Sequence, residues 1–334
     1  MKSPRFAPQL LALLLGTVLG LVVLEAGLRW LGPPRRFQST RVDETYRVPF
    51  HQPAVRPQPV PGSGPRFRVL VVGDSFTWGG GVLAEDSYPR RLERRLWAAS
   101  LPVRIEVDVL SRPGWGTETE AAVLAGRWDQ MAPDLLVVGY VLNDPLPPSG
   151  AEHDRLTEPL RRRRPAPGPT RWLYRRSFLF DLVWDRLENT RQRRAYRDHY
   201  ELLHSPEHPG WKRTRVAMRA MANLARGDGV PAVLVIFPVF DFERLDDYEY
   251  ADLHKIVRRA AHGAGYQVLD LLPTYRGVEG RRLPVVPFTD AHPNELAHRM
   301  AAESIARFLR QKRLVPTGAP PAGGEPETRP PPVP

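Results

Sequence analysis

The sequence predicts an α/β fold, a three-layer α/β/α sandwich around a central parallel sheet, preceded by one N-terminal transmembrane helix. Three observations carry that expectation. From residue 66 onward short apolar runs alternate with longer amphipathic stretches, and strands that alternate with helices pair in parallel through helical crossovers. The first run, in "VLVVGDSFTWG" at 69 to 79, is continuously apolar, as a strand buried on both faces must be. Residues 10 to 24, "LLALLLGTVLGLVVL", hold no charge at all.

Residues 1–31 form the expected anchor, meeting the membrane through 7–31. Continuing from Leu10 through Glu25 to Leu28 gives 19 residues with one charge, and about 20 mostly apolar residues cross a bilayer. No A-x-A-like cleavage site follows, and Arg29 and Trp30 suit a membrane interface, so the helix reads as an uncleaved anchor. Arg29, Arg35, Arg36 and Arg41 after the span outnumber Lys2 and Arg5 before it, which by charge alone would keep the rest of the chain cytoplasmic. Residues 32–65 are rich in Pro and Arg and read as an extended linker.

The folded domain is expected over 66–312. "RFRVLVVG" reads as a strand, "YPRRLERRLWAA" as a helix, "VRIEVDVL" as a strand, "TETEAAVLAGRW" as a helix and "PDLLVVGYV" as the third strand. A helix over 211–226, the strand "PAVLVIFPV", a helix around 246–262, the short strand "YQVLDL" and a last helix over 293–310 complete the alternation. Residues 145–210 break the rhythm as an insertion after the third strand, a place from which a lid can reach the carboxyl edge of the sheet. Its Trp172, Tyr174, Phe178, Phe180 and Trp184 lie at helical spacing and read as core, not as a membrane-facing surface. Residues 313–334, Pro- and Gly-rich without periodicity, read as a disordered tail.

Composition narrows the chemistry. The chain has no cysteine, which excludes disulfides, thiolate catalysis and Cys-based metal sites. Its net charge of +11 comes from 48 Lys and Arg against 37 Asp and Glu, with clusters such as "RRRR" at 161–164. No nucleic-acid module accompanies that charge, so nucleic acid is not the expected partner.

Ser75 follows the first strand, and in open α/β sheets the ligand crevice lies beyond the carboxyl ends of the strands. The same position suits an ordinary cap or turn residue. A serine nucleophile needs a base and a group that orients the base. His292 in "FTDAHPNELAHRM", two residues after Asp290 and ahead of the last helix, brings acid and base together on one loop. "HSPEH" at 204–208 matches an H-x-x-E-H zinc pattern, but Pro206 inside it breaks the helix such a site requires.

Taken in order, "GDSFTWG", the Gly turn in "SRPGWGTE", the strand end "GYVLND" and the terminal "DAHPN" resemble the blocks of the SGNH, or GDSL-like, hydrolase family. The resemblance covers roughly 66–312 and implies an SGNH-like sandwich and a serine esterase acting without metal or organic cofactor. It implies Ser75 as nucleophile, Asp290 and His292 as acid and base, and an oxyanion hole formed by the N–H groups of Ser75 and Gly114 and the side-chain amide of Asn143. Thr77 stands where a G-x-S-x-G elbow would have its second glycine, which sets the motif apart from α/β-hydrolases. The third block usually reads G-x-N-D, but Val141 stands two residues before Asn143; the last is often D-x-x-H, which would select Thr289. Gly116 competes with Gly114, and Asp144 is expected to brace its loop. The substrates implied are O-acyl, above all O-acetyl, esters of cell-envelope carbohydrate, with the domain on the extracytoplasmic side. Acyl transfer to a sugar hydroxyl and a non-catalytic carbohydrate-binding or assembly role are the alternatives.

Overall fold

A computed structural model describes residues 6–30, 65–97, 103–147, 150–161, 168–240, 245–286 and 290–316. Nearly all of the expected linker, the tail beyond 316, and Thr289 lie outside the described residues. The described residues fall into two compact units.

The first unit holds helix α1 (Phe6–Trp30), and α6 (Ala151–Arg161), α7 (Arg171–Arg176) and most of α8 (Phe178–Leu203) from the insertion. The stretch Pro8–Trp30 is long and apolar enough to cross a membrane, a property that an anchor and a signal sequence share. Leu10 to Leu24 are exposed wherever they are large and apolar. The insertion is helical, but its aromatics are not the core expected of them. Trp172 is 61% exposed, and Phe178, Phe180 and Trp184 are only half-buried. Two helices joined by a single residue, Ser177, present too little opposed surface to enclose these four rings.

The second unit contains the sheet. Its strands are β1 (Arg66–Gly73), β2 (Arg104–Ser111), β3 (Leu135–Tyr140), β4 (Ala232–Ile236) and β5 (Gln267–Asp270), in the order β2-β1-β3-β4-β5 and all parallel. Helices α2 (Ser75–Trp78), α3 (Tyr88–Trp97), α4 (Thr117–Ala125), α5 (Trp128–Met131), α9 (Pro209–Gly227), α10 (Ala251–Ala264) and α11 (Glu295–Gln311) surround it. The chain winds outward from β1 to β2, then back past β1 to β3 and onward. Right-handed crossovers therefore put α3 on one face and α4, α9 and α10 on the other. The packing agrees: α11 lies on α3, and α9 lies on both α4 and α10.

Val69, Leu70, Val71 and Val72 of β1 and Leu135 to Val138 of β3 are at most 1% exposed. Burial of each such side chain contributes about 1.5–3 kcal/mol. Because winding reverses between β1 and β3, the crevice opens beyond their carboxyl ends. Those ends carry Ser75 and Asn143.

The sequence reading has a plain loop ahead of the last helix. The structure forms instead a short antiparallel pair, β6 (Pro284–Val286) with β7 (Asp290–Pro293). Strands of three and four residues that contain Pro lack the alternation that would reveal them. The pair matters because β7 carries Asp290 and His292.

Candidate active site

The turn after β1 is built for close approach. Asp74 caps α2, its Oδ1 accepting from the Phe76 N–H at 2.9 Å, and Ser75 is the first helical residue. A Cβ at Gly73 or Gly139 would collide with Thr77 Oγ1, which itself hydrogen-bonds Tyr88 Oη at 2.9 Å. Glycine at both places lets α2 sit directly on the ends of β1 and β3. Gly79 ends α2 with a left-handed φ of 87°, turning the chain toward Gly80.

On this turn Ser75 Oγ lies 2.9 Å from His292 Nε2, and His292 Nδ1 lies 2.6 Å from Asp290 Oδ1. The tautomer these contacts select has Nδ1–H donating to the carboxylate, which leaves Nε2 to accept the serine proton. The His292 N–H donates to the same Oδ1 at 3.0 Å, so one carboxylate oxygen fixes both the backbone and the ring. Packing holds the imidazole from the other side: Phe76 lies 5.4 Å from it centroid to centroid, and a Cβ at Gly80 would come within 3.3 Å of its Cδ2. The structure thus brings together the three residues that the sequence put forward as nucleophile, base and orienting acid.

Burial disfavours the imidazolium of His292, but the hydrogen bond and charge of Asp290, helped by Asp74, outweigh it and raise the pKa above the ordinary value. Burial likewise pushes Asp290 up, but His292 pulls it further down, below the usual carboxylate range. Asp74, only 1% exposed, is pushed by burial up to about 6 against the opposing bond from Phe76 and charge of His292.

The expected oxyanion donors stand at neighbouring strand ends. Gly114 has a left-handed φ of 81°, and a Cβ there would meet nothing within 4 Å, so its backbone borders open space. Its rival Gly116 is packed against the Asp144 carbonyl, into which a Cβ would run. Asn143 sits in the turn after β3, where the Asp144 N–H donates to Val141 O at 3.0 Å and the Leu146 N–H to Asn143 O at 2.9 Å. Its Oδ1 is buried with no hydrogen-bond partner among the described residues. Asp144 does brace this turn, accepting from Thr117 Oγ1 at 2.9 Å.

Sequence reasoning missed Glu120. It is fully buried, and neither carboxylate oxygen has a hydrogen-bond partner among the described residues. Burial raises its pKa well above the ordinary value, and the charges of Asp144 and Asp74 add to the rise. Asp144 is raised for the same reasons, burial first and Asp74 next. Glu120 and Asp144 therefore join Asp74 as buried acids about the turn that carries Ser75. Nothing in "TETEAAVLAG" separates buried Glu120 from Glu118, which is exposed and pairs with Arg213 at 2.9 Å.

His204, His208 and His254 have structural partners. His204 Nε2 meets Tyr140 Oη at 2.8 Å, and His208 caps α9 by accepting from the Gly210 N–H at 3.2 Å, so the two lie in a turn between helices and not on one helix face. His254 forms a second His–Asp pair, with Asp270 at 2.9 Å, but the group on its other nitrogen, at 3.3 Å, is Tyr248 Oη. That hydroxyl accepts from the Val239 N–H and so braces the segment after β4.

The sequence profile of the GDSL-like Lipase/Acylhydrolase family matches residues 71–300. Among solved structures, the chain is similar to TesA, at 16% identity and a TM-score of 0.43, over 74% of this chain and 99% of that one. It is also similar to the family 3 carbohydrate esterase of Clostridium thermocellum, at 13% identity and TM-score 0.43, over 74% and 96%. A two-domain esterase active on acetylated mannans aligns at 14% identity and TM-score 0.44, over 80% of this chain and 54% of that one. No curated protein matches by sequence.

Proposed function

The chain belongs to the GDSL-like lipase/acylhydrolase family, and from that premise we propose that it is a serine esterase that removes O-acyl groups, chiefly O-acetyl, from cell-envelope carbohydrate. The observation that carries the reading is the unbroken run from Ser75 Oγ through His292 to Asp290, at 2.9 and 2.6 Å.

In this reading Ser75 Oγ attacks the ester carbonyl while its proton passes to His292 Nε2. The carbonyl oxygen becomes an oxyanion, met by the N–H groups of Ser75 and Gly114 and the Asn143 amide. His292 returns the proton to the departing alcohol oxygen, leaving an acyl-serine. Water, deprotonated by His292, then adds to the acyl carbon, and the collapse releases the acid and restores Ser75. Losing one oxyanion donor typically costs on the order of 100-fold or more in kcat.

Two features support a short acyl group on a large, hydrated alcohol. Phe76, beside Ser75, stacks on Phe240 at 6.1 Å and meets Phe237 edge-on at 6.0 Å, so close-packed aromatic core lies directly next to the serine, which favours a small acyl group. The side chains of His292 and Asp290 are 36% and 38% exposed, which leaves the alcohol side open to solvent and to a polymer. The reading puts the hydrolase domain outside the cytoplasm, tethered by α1.

The test is the initial rate of the purified full chain on acetylated oligosaccharides and on p-nitrophenyl acetate, with and without free sugar acceptors. Acetate release, abolished in Ser75→Ala with unchanged circular dichroism, is the expected result. Ser75→Ala activity within a few-fold of the original would refute the nucleophile, and acyl transfer to added sugar in place of acetate release would make the protein a transferase.

A further inference from the structure

Glu25 is the one charged residue between Leu10 and Leu28 of the apolar helix, and its carboxylate is fully engaged by the insertion. Oε1 accepts from the Phe178 N–H at 3.0 Å, and Oε2 from the Leu179 N–H and Ser177 Oγ, both at 2.9 Å. Ser177 Oγ in turn accepts from the Phe180 N–H at 3.1 Å. Two of the free N–H groups of the first turn of α8 are thus satisfied by a residue about 150 positions earlier, and a third by the serine that residue holds. Arg29 completes the joint: its Nε donates to Glu25 Oε1 at 2.9 Å, its Nη2 to the Arg176 carbonyl at 2.5 Å, and its guanidinium lies 5.4 Å from the Phe178 ring centre.

A carboxylate in an apolar segment is costly unless paired. Here it is held by an arginine and a helix N-terminus, whose dipole favours negative charge. Toward the hydrocarbon edge of the membrane interface water becomes less available to satisfy the α8 N–H groups, so this cap is worth more there than in bulk water. A signal segment removed from the chain would have no use for it.

The surface next to the joint changes character with distance from it. Trp172 and Leu173 on α7 are 61% and 39% exposed; on the first turns of α8, Leu182, Val183 and Leu187 are 41%, 49% and 62% exposed. Farther along the same helix the exposed positions are Thr190, Arg193, Arg194, Arg197, Asp198 and Glu201, with apolar Leu202 exposed only at its far end. The cluster of exposed apolar residues, with Arg186 among them, ends at Leu187, nine residues and so about 14 Å from Phe178. That is the pattern of a helix that starts in the interfacial layer and leaves it.

We propose that α7 and the first turns of α8 lie in the surface of the same bilayer that α1 crosses, pinned there by the Glu25 cap, so that α1 is a retained structural partner of the insertion. The occupant of the exposed apolar face is lipid. This goes beyond the esterase reading and does not depend on it.

The chain's lack of cysteine permits a direct test. Single cysteines at Val183, Leu187 and Arg194 of the full chain are spin-labelled, the protein is reconstituted into phosphatidylcholine–phosphatidylglycerol vesicles, and collisions with oxygen and with a water-soluble nickel chelate are measured. Expected are several-fold lower nickel accessibility and higher oxygen accessibility at 183 and 187 than at 194, and loss of that contrast in Glu25→Ala while p-nitrophenyl acetate turnover persists. Equal aqueous accessibility at 183 and 194, low accessibility to both reagents at 183 (burial against protein), or a contrast that survives Glu25→Ala would each overturn the proposal.

Discussion

Burial opposes protonation of His292, but the hydrogen bond and charge of Asp290 on its own strand, helped by the charge of Asp74 on the turn that carries Ser75, outweigh it. In its proposed role of base His292 works only when neutral. Its raised pKa therefore means that activity falls as pH drops through a value above the ordinary 6.5, not below it. We expect kcat/KM on an aryl ester to show that acid limb. Asp290→Asn should move the limb to lower pH and slow the plateau, because the imidazolium loses its partner and the ring its tautomer. His292→Ala should cost on the order of 10⁶ in kcat, as Ser75→Ala does, with Asp290→Asn roughly two orders of magnitude milder, since such groups act as a unit. A limb that stays in place in Asp290→Asn would remove Asp290 from the orienting role. At this scale the three residues that the structure brings together were legible because each stands in a local pattern, a strand end or a pre-helix loop. Glu120 was not, because burial against residues distant in sequence leaves no local mark.

At the scale of elements, the crevice depends on α4 starting hard against the turn after β3. Gly116 admits the Asp144 carbonyl, Thr117 hydrogen-bonds the Asp144 side chain, and Glu120 stands one turn further in. The strand and helix alternation that placed these elements is a repeating signal and was readable from the sequence. The β6–β7 pair is set by one short register and was not. The buried acids make the assembly pH-sensitive in a definite direction. An acid whose pKa is raised in the fold contributes stability below its unfolded pKa, near 4.5 for Glu120, and that contribution is lost as pH rises toward the folded value. Each pH unit in that window costs up to about 1.4 kcal/mol per such group. Glu120→Gln keeps the shape and cannot ionise, so its Tm relative to the parent should improve steadily from pH 4.5 to 8. Thermal melts across that range check it, and a Tm difference that is flat or falls with pH would mean that ionising Glu120 costs the fold nothing.

At the scale of the whole molecule, two forces are available to hold the chain at a membrane, and they respond oppositely to salt. A net charge of +11 attracts an anionic surface, but that attraction is screened within about 3 Å at 1 M salt. The apolar Pro8–Trp30 helix gains nothing from charge and loses nothing to salt. Its apolar run from Leu10 to Leu24 was legible in the sequence; the role of its lone acid was not, since Glu25 acquires a purpose only when α8 is brought to it in three dimensions. If α1 spans the bilayer, the full chain should stay in the membrane pellet through washes in 1 M salt and in alkaline carbonate, with esterase activity in the same fraction, and detergent should release it. Deleting residues 10–24 should move both protein and activity to the supernatant. Immunoblots and p-nitrophenyl acetate assays of each fraction make the measurement. Release of the intact chain by salt alone would show that basic surface holds it at the membrane and that α1 does not cross.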